Sequence, residues 1–94
     1  MITLVWGTGF KRSFKRALRS RPDLRERIEY TLRLLSEDPF QSVLHTHKLK
    51  GELEGSWACT VDFDCRIVFE FVQNPKTGDE EIQLEAVGTH DEVY

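Results

Sequence analysis

Between His47 and Phe71 the chain reads HKLKGELEGSWACTVDFDCRIVFEF, two alternating apolar runs separated by Asp62 to Cys65. A period of two belongs to extended backbone, and a polar break between two such runs makes a β-hairpin or meander. Trp57, Cys59, Val61 and Phe63 then share one face, while Ala58, Thr60, Asp62 and Asp64 share the other. Arg66 opens the second run ahead of Ile67, Phe69 and Phe71, so a guanidinium stands at the mouth of a strand whose apolar side enters a core. His47, Lys48 and Lys50 precede the hairpin, and Gly51 and Gly55 serve the backbone. Cations and a histidine thus gather near one end of a small sheet.

Everything else must cover or extend that sheet. Ile2, Leu4 and Trp6 alternate as a first strand, and Gly7-Thr8-Gly9 breaks it with Thr8 as the expected helix N-cap. Phe10, Phe14, Ala17 and Leu18 form the stripe of an amphipathic helix that ends near Ser20-Arg21-Pro22. A second helix turns Leu24, Ile28, Leu32 and Leu35 inward, with Tyr30 and Leu34 at its flank, and stops before Asp38-Pro39. After the hairpin, Asn74 to Asp79 carries turn signals, and Ile82, Leu84 and Ala86 alternate as a last strand leading to Gly88-Thr89-His90. The expectation is one α+β domain over residues 1–94, an αα-hairpin packed on a twisted, mostly antiparallel sheet of four to five strands. Its expected core is Phe10, Phe14, Leu18, Leu24, Ile28, Leu32, Ile67, Phe69 and Phe71.

No apolar run is long enough to span a bilayer, so a soluble, cytoplasmic protein with no membrane partner is expected. Cys59 and Cys65 are too few for a disulfide framework and lack C-x-x-C spacing; Cys59 reads as a buried small hydrophobe. The net charge of −3 conceals an asymmetry. Up to Ser36 there are nine Lys/Arg against three acids, and from Glu37 onward four against thirteen. Such a split points to a basic face that meets a polyanion or an acidic partner, although for any single arginine a solvated helix face is the simpler reading.

The tokens HKLKG, G-S-W, D-x-R-I-V-F-E-F and G-T-H-D-E-V-Y, in that order, resemble the RelE/ParE superfamily of bacterial toxins and within it the YafQ-like branch. The resemblance implies a RelE-like fold and a ribosome-dependent endoribonuclease that cuts messenger RNA. It also implies a cognate antitoxin as partner and no cofactor. By the same resemblance His47 and His90 fall on catalytic positions, Asp64 on a carboxylate of that site, Arg66 on a phosphate-binding arginine and Tyr94 on a base-stacking aromatic. Two positions depart from the pattern: Thr60 stands where a further histidine is usual, and Ala58 where an acid is usual.

Metal-free RNA cleavage needs a base for the 2′-hydroxyl, an acid for the 5′-oxygen and cations for the phosphorane. Imidazole suits both proton roles, and Lys48, Lys50 and Arg66 would supply charge. Simpler readings stand beside these. Asp64 is also a natural hairpin-turn residue, Lys48 and Lys50 natural edge-strand lysines, and Trp57 a natural core or interface residue. A metal held by His45, His47 and His90 has thin support. A ParE-like gyrase inhibitor, or a catalytically weakened antitoxin-binding module, remains the alternative function.

Overall fold

The computed structural model describes residues 1–94. Five strands form one sheet in the order β1-β5-β4-β3-β2: β1 (Thr3–Trp6), β2 (His47–Lys48), β3 (Trp57–Asp62), β4 (Cys65–Gln73) and β5 (Glu80–Gly88). The pairs β2–β3, β3–β4 and β4–β5 are antiparallel, and β1 alone runs parallel to its neighbour β5. Helices α1 (Thr8–Ser20) and α2 (Leu24–Glu37) supply the second layer, and a short helix α3 (His90–Val93) follows β5. This is the expected α+β arrangement.

A core of fourteen buried residues lies between the helices and one face of the sheet. Phe10 comes from α1, Leu24, Ile28, Leu32 and Leu35 from α2, and Cys59, Val61, Ile67, Phe69, Ile82, Leu84 and Val87 from β3, β4 and β5. Burying each such large side chain contributes about 1.5–3 kcal/mol. Phe14, Leu18 and Phe71, expected inside, are only partly buried at the margin of this cluster. Phe14 instead stacks against Phe10 and meets Trp6 edge to face, closing the β1 end of the core.

Local details correct the expectations in three places. The N-cap of α1 is Gly7, not Thr8, which is the first helical residue. Backbone approach decides this, because a Cβ at Gly7 would lie 2.8 Å from the Leu84 carbonyl oxygen as the chain turns across β5. Phe63 does not continue the apolar face of β3; the strand ends at Asp62 and Phe63 sits in the turn, 88% exposed. In β5 the register with β4 shifts between Val68 and Phe69, so Glu85 is an extra residue. This bulge carries Ala86 to the far face and Val87, rather than Ala86, into the core.

One buried polar contact locks the layers together. Ser13 Oγ on α1 donates to the Phe10 carbonyl at 3.1 Å and accepts from the Val87 N–H at 3.0 Å, satisfying the amide at the bulged end of β5. Arg27 on α2 donates through Nε to the Val61 carbonyl at 3.0 Å, which ties α2 to the tip of β3. The strand ends that carry the hairpin turn are thereby held against the helices.

Candidate active site on the open sheet face

The register defines rows across the face that α1 and α2 leave open. One row runs His47, Ala58, Val68, Ala86, and the next runs Thr60, Arg66, Gly88. Two residues along a strand separate the rows, about 7 Å. Ala58 and Val68 are buried yet lie outside the fourteen-residue core, so they form a small apolar floor of their own. His47 stands at one edge of this floor and Arg66 beside it.

His47 is exposed, and its Nδ1 lies 3.0 Å from the carbonyl oxygen of His45. A carbonyl only accepts, so that contact places the ring proton on Nδ1 and leaves the Nε2 lone pair free in the neutral ring. His45 makes the contact because it adopts a left-handed backbone, φ 49°, after the short 3-10 turn Ser42–Leu44. Arg66 donates from Nη1 to the Asp62 carbonyl at 2.6 Å and to the Cys65 carbonyl at 3.1 Å, which fixes one side of the guanidinium across the hairpin.

Helix α3 brings the chain end to this row. Thr89 caps it: Thr89 Oγ1 accepts from the Glu92 N–H at 3.3 Å, and Glu92 Oε1 accepts from the Thr89 N–H at 2.8 Å. That bond and the nearby Arg16 guanidinium, 3.8 Å from Glu92 Oε2, hold the Glu92 carboxyl below the usual range. The element was absent from the strand-and-loop expectation, although Thr89-x-x-Glu92 is the local signature of a capping box. His90 is the first residue of α3 and largely exposed, with Nδ1 3.8 Å from Asp91 Oδ1 and its ring 4.4 Å from that of Tyr94. Burial pushes the Tyr94 hydroxyl up, and the nearby Arg66 charge opposes the shift, so Tyr94 lies within the electrostatic reach of Arg66.

The other expected site residues lie apart from this group. Asp64 is in the hairpin turn, its N–H bonded to Asp62 Oδ1 at 2.9 Å, and it lines a narrow cleft with Arg21, Thr89 and Glu92. Lys48 pairs with Trp57 in register and lies over its ring at 5.5 Å, on the opposite side of β2 from His47. Lys50 precedes a second 3-10 turn, Gly51–Leu53, and lines a cavity of about 410 Å³ with Lys48 and Trp57. Thr60 pairs with Arg66 and Ala58 with His47, so both departures from the family pattern sit inside the open face.

Three side chains that the sequence reading passed over share this face. Glu85 accepts from Ser56 Oγ at 2.8 Å, and the Glu85 carboxylate, with some burial, raises the Glu70 carboxyl above its usual range. Only the bulge brings Glu85 beside Glu70, a non-local consequence that neither position announces. No three His, Cys, Asp or Glu side chains gather closely enough to hold a metal ion. Cys59 and Cys65 are buried and reduced, and burial pushes their thiols to about 12 and about 11. No helix is long and apolar enough to cross a membrane.

An open five-stranded sheet backed by two helices, with a short C-terminal helix at the arginine row, is the fold of the RelE/YoeB-like toxins. It superimposes on YafQ from E. coli strain BL21(DE3) with a TM-score of 0.80 at 19% identity, covering 100% of this chain and 99% of that one. A YoeB/ParE toxin from Agrobacterium tumefaciens gives 0.74 at 19% identity, covering 95% and 99%. The toxin of an E. coli DinJ-YafQ complex gives 0.77, again at 19% identity, covering 100% and 99%. No curated protein matches the sequence significantly. The family described as "Bacterial toxin of type II toxin-antitoxin system, YafQ" matches residues 2–94, and the chain belongs to that family.

Proposed function

We propose that the protein is a ribosome-dependent endoribonuclease toxin that cuts messenger RNA by metal-independent acid-base catalysis and is held inactive by a cognate antitoxin. The observation that carries the catalytic reading is the convergence of His90, Tyr94 and Arg66 at one row, with His47 at the edge of the next. The antitoxin follows from family membership and from the DinJ-YafQ complexes of the E. coli relative.

The hydrogen bonds assign the two proton roles. His47, with Nδ1–H donated to the His45 carbonyl, offers Nε2 as the base that takes the 2′-hydroxyl proton. His90, whose imidazolium would face the Asp91 carboxylate, is the acid that protonates the departing 5′-oxygen. The 2′-oxygen attacks phosphorus, the phosphorane's charge falls on Arg66, and the products are a 2′,3′-cyclic phosphate and a 5′-hydroxyl. Tyr94 stacks on a base beside the scissile phosphate. Asp64 acts from the turn, ordering the Asp62–Arg66 hairpin, and Lys50 meets phosphate along the strand. Lys48, lying over Trp57, serves phosphate only on the reverse side of β2.

Cleavage of a messenger in a translating extract tests this directly. A single 2′-deoxy nucleotide at the scissile position should abolish cutting, and chelators should leave it unchanged; cleavage of the deoxy substrate would overturn the mechanism. Thr60 in the Arg66 row favours a second reading, an antitoxin-binding module with weakened catalysis. Under it, Thr60→His should raise a low cleavage rate.

A further inference from the structure

A groove on the helix side of the molecule is lined by Trp6, Phe14 and Leu18 and flanked by Lys11, Lys15 and Arg25. Its volume is about 390 Å³, and every lining residue is either apolar or cationic. Trp6, at the end of the edge strand β1, remains 37% exposed, and the Arg25 guanidinium lies 5.8 Å from the Phe14 ring. Lys11 and Lys15, one helical turn apart on α1, are exposed with no carboxylate within ion-pair distance. Arg25 meets only the exposed Glu29 at 3.8 Å. Uncompensated cations on both sides of an apolar floor describe the negative image of an amphipathic helix with acids flanking its apolar stripe.

We propose that this groove is the docking site for an acidic amphipathic helix of the antitoxin, an inference that rests on the toxin-antitoxin reading and locates its interface. The three apolar walls would take the helix's i, i+3/i+4 and i+7 side chains, while its flanking carboxylates meet Lys11 and Lys15 on α1 and Arg25 on α2. RNA would also be drawn to the cations, but Phe14 and Leu18 give a phosphate backbone nothing, whereas they give Leu or Phe of a peptide a place to be buried. Nor does the groove share a lining residue with the His47, Arg66 and His90 group.

The complex with the cognate antitoxin provides the test. Replacing Lys15 with photoreactive p-benzoylphenylalanine should crosslink the toxin to the antitoxin, while the same replacement of Phe63, at the exposed hairpin tip, should not. The Lys11→Glu/Lys15→Glu variant should weaken the antitoxin about tenfold or more, with a shallower salt dependence, and leave messenger cleavage unchanged. A complex that forms with unaltered affinity in that variant, and without crosslinking at position 15, sinks the groove assignment while the toxin-antitoxin reading stands. Loss of messenger cleavage with antitoxin affinity intact would hand the surface to ribosomal RNA and overturn the proposal. Failure of any antitoxin to bind the unmodified protein would overturn both.

Discussion

The two faces of the sheet are made by the same strands under opposite demands. On the helix side Cys59, Val61, Ile67, Phe69, Ile82, Leu84 and Val87 are apolar without exception and almost inaccessible. On the open side Ala58 and Val68 are equally buried, but His47, Thr60, Arg66, Glu70 and Glu85 surround them, including two carboxyl groups that repel one another. In β4 the division follows residue parity: Ile67 and Phe69 belong to the core, Arg66 and Glu70 to the open face. A face that tolerates like charges and an exposed histidine is not arranged for stability alone. Substitutions one residue apart should therefore separate folding from activity.

The sharpest way to break that comparison is on the open face. Combining His47→Ala with His90→Ala should remove most messenger cleavage, each general acid or base being worth about 10²- to 10⁴-fold, without moving the melting temperature. Both rings are exposed, so neither supports the core. Full activity in the double variant would refute the catalytic assignment. Its counterpart on the other face is Phe69→Ala, which empties a fully buried site at the centre of the core and should cost about 3–5 kcal/mol of stability. Denaturant titration reads it, and a loss below about 1 kcal/mol would mean that the core collapses around the gap.

Arg66→Ala should show where the separation leaks. Removing a donor to the phosphorane costs about 10²- to 10³-fold in rate. The same guanidinium also bonds the Asp62 and Cys65 carbonyls, so a stability loss of about 1 kcal/mol should accompany it. Arg66→Lys should recover part of the stability but little of the rate, since an ammonium lacks the planar fork. Equal recovery of both would place Arg66 among hairpin-ordering residues only.

How far the sequence carries this division depends on the distance over which each feature is set. The alternation from Trp57 to Val61, the stripe of α2 from Leu24 to Leu35 and the buried Cys59 are legible because each follows from neighbours in sequence. Phe63 misleads because the two-residue turn ends the strand's period before the apolar letters end. The bulge at Glu85, and with it the Glu70/Glu85 pair, depends on Gly7 and Ser13 meeting β5 from α1, which no local pattern encodes. Lys48 and His47 are adjacent letters that the pleat sends to opposite sides, so a cluster of cations in sequence divides in space. Helix α3 was readable from its capping box, but its position beside Arg66 follows only from where β5 ends.

The smallest expected effect tests the claim that the open face sacrifices stability. Glu70 has a neighbour of like charge in Glu85, and its carboxyl is raised above the ordinary glutamate value by that charge first and by burial second. As pH falls through the interval between the ordinary and the raised value, the folded state takes up a proton before the unfolded chain does. Stability should therefore rise on acidification through that interval, and the repulsion should be fully present above it, at neutral pH. Glu70→Gln removes one of the two charges. It should stabilise the protein at pH 7, by no more than about 0.5 kcal/mol because water screens the pair, and should flatten the rise on acidification. Glu85→Gln should do the same only in part, because it also weakens the charge-assisted bond from Ser56 Oγ. If Glu70→Gln instead lowers the melting temperature at pH 7, the two carboxyls share a proton in a favourable bond, and the open face is built for stability as much as its opposite.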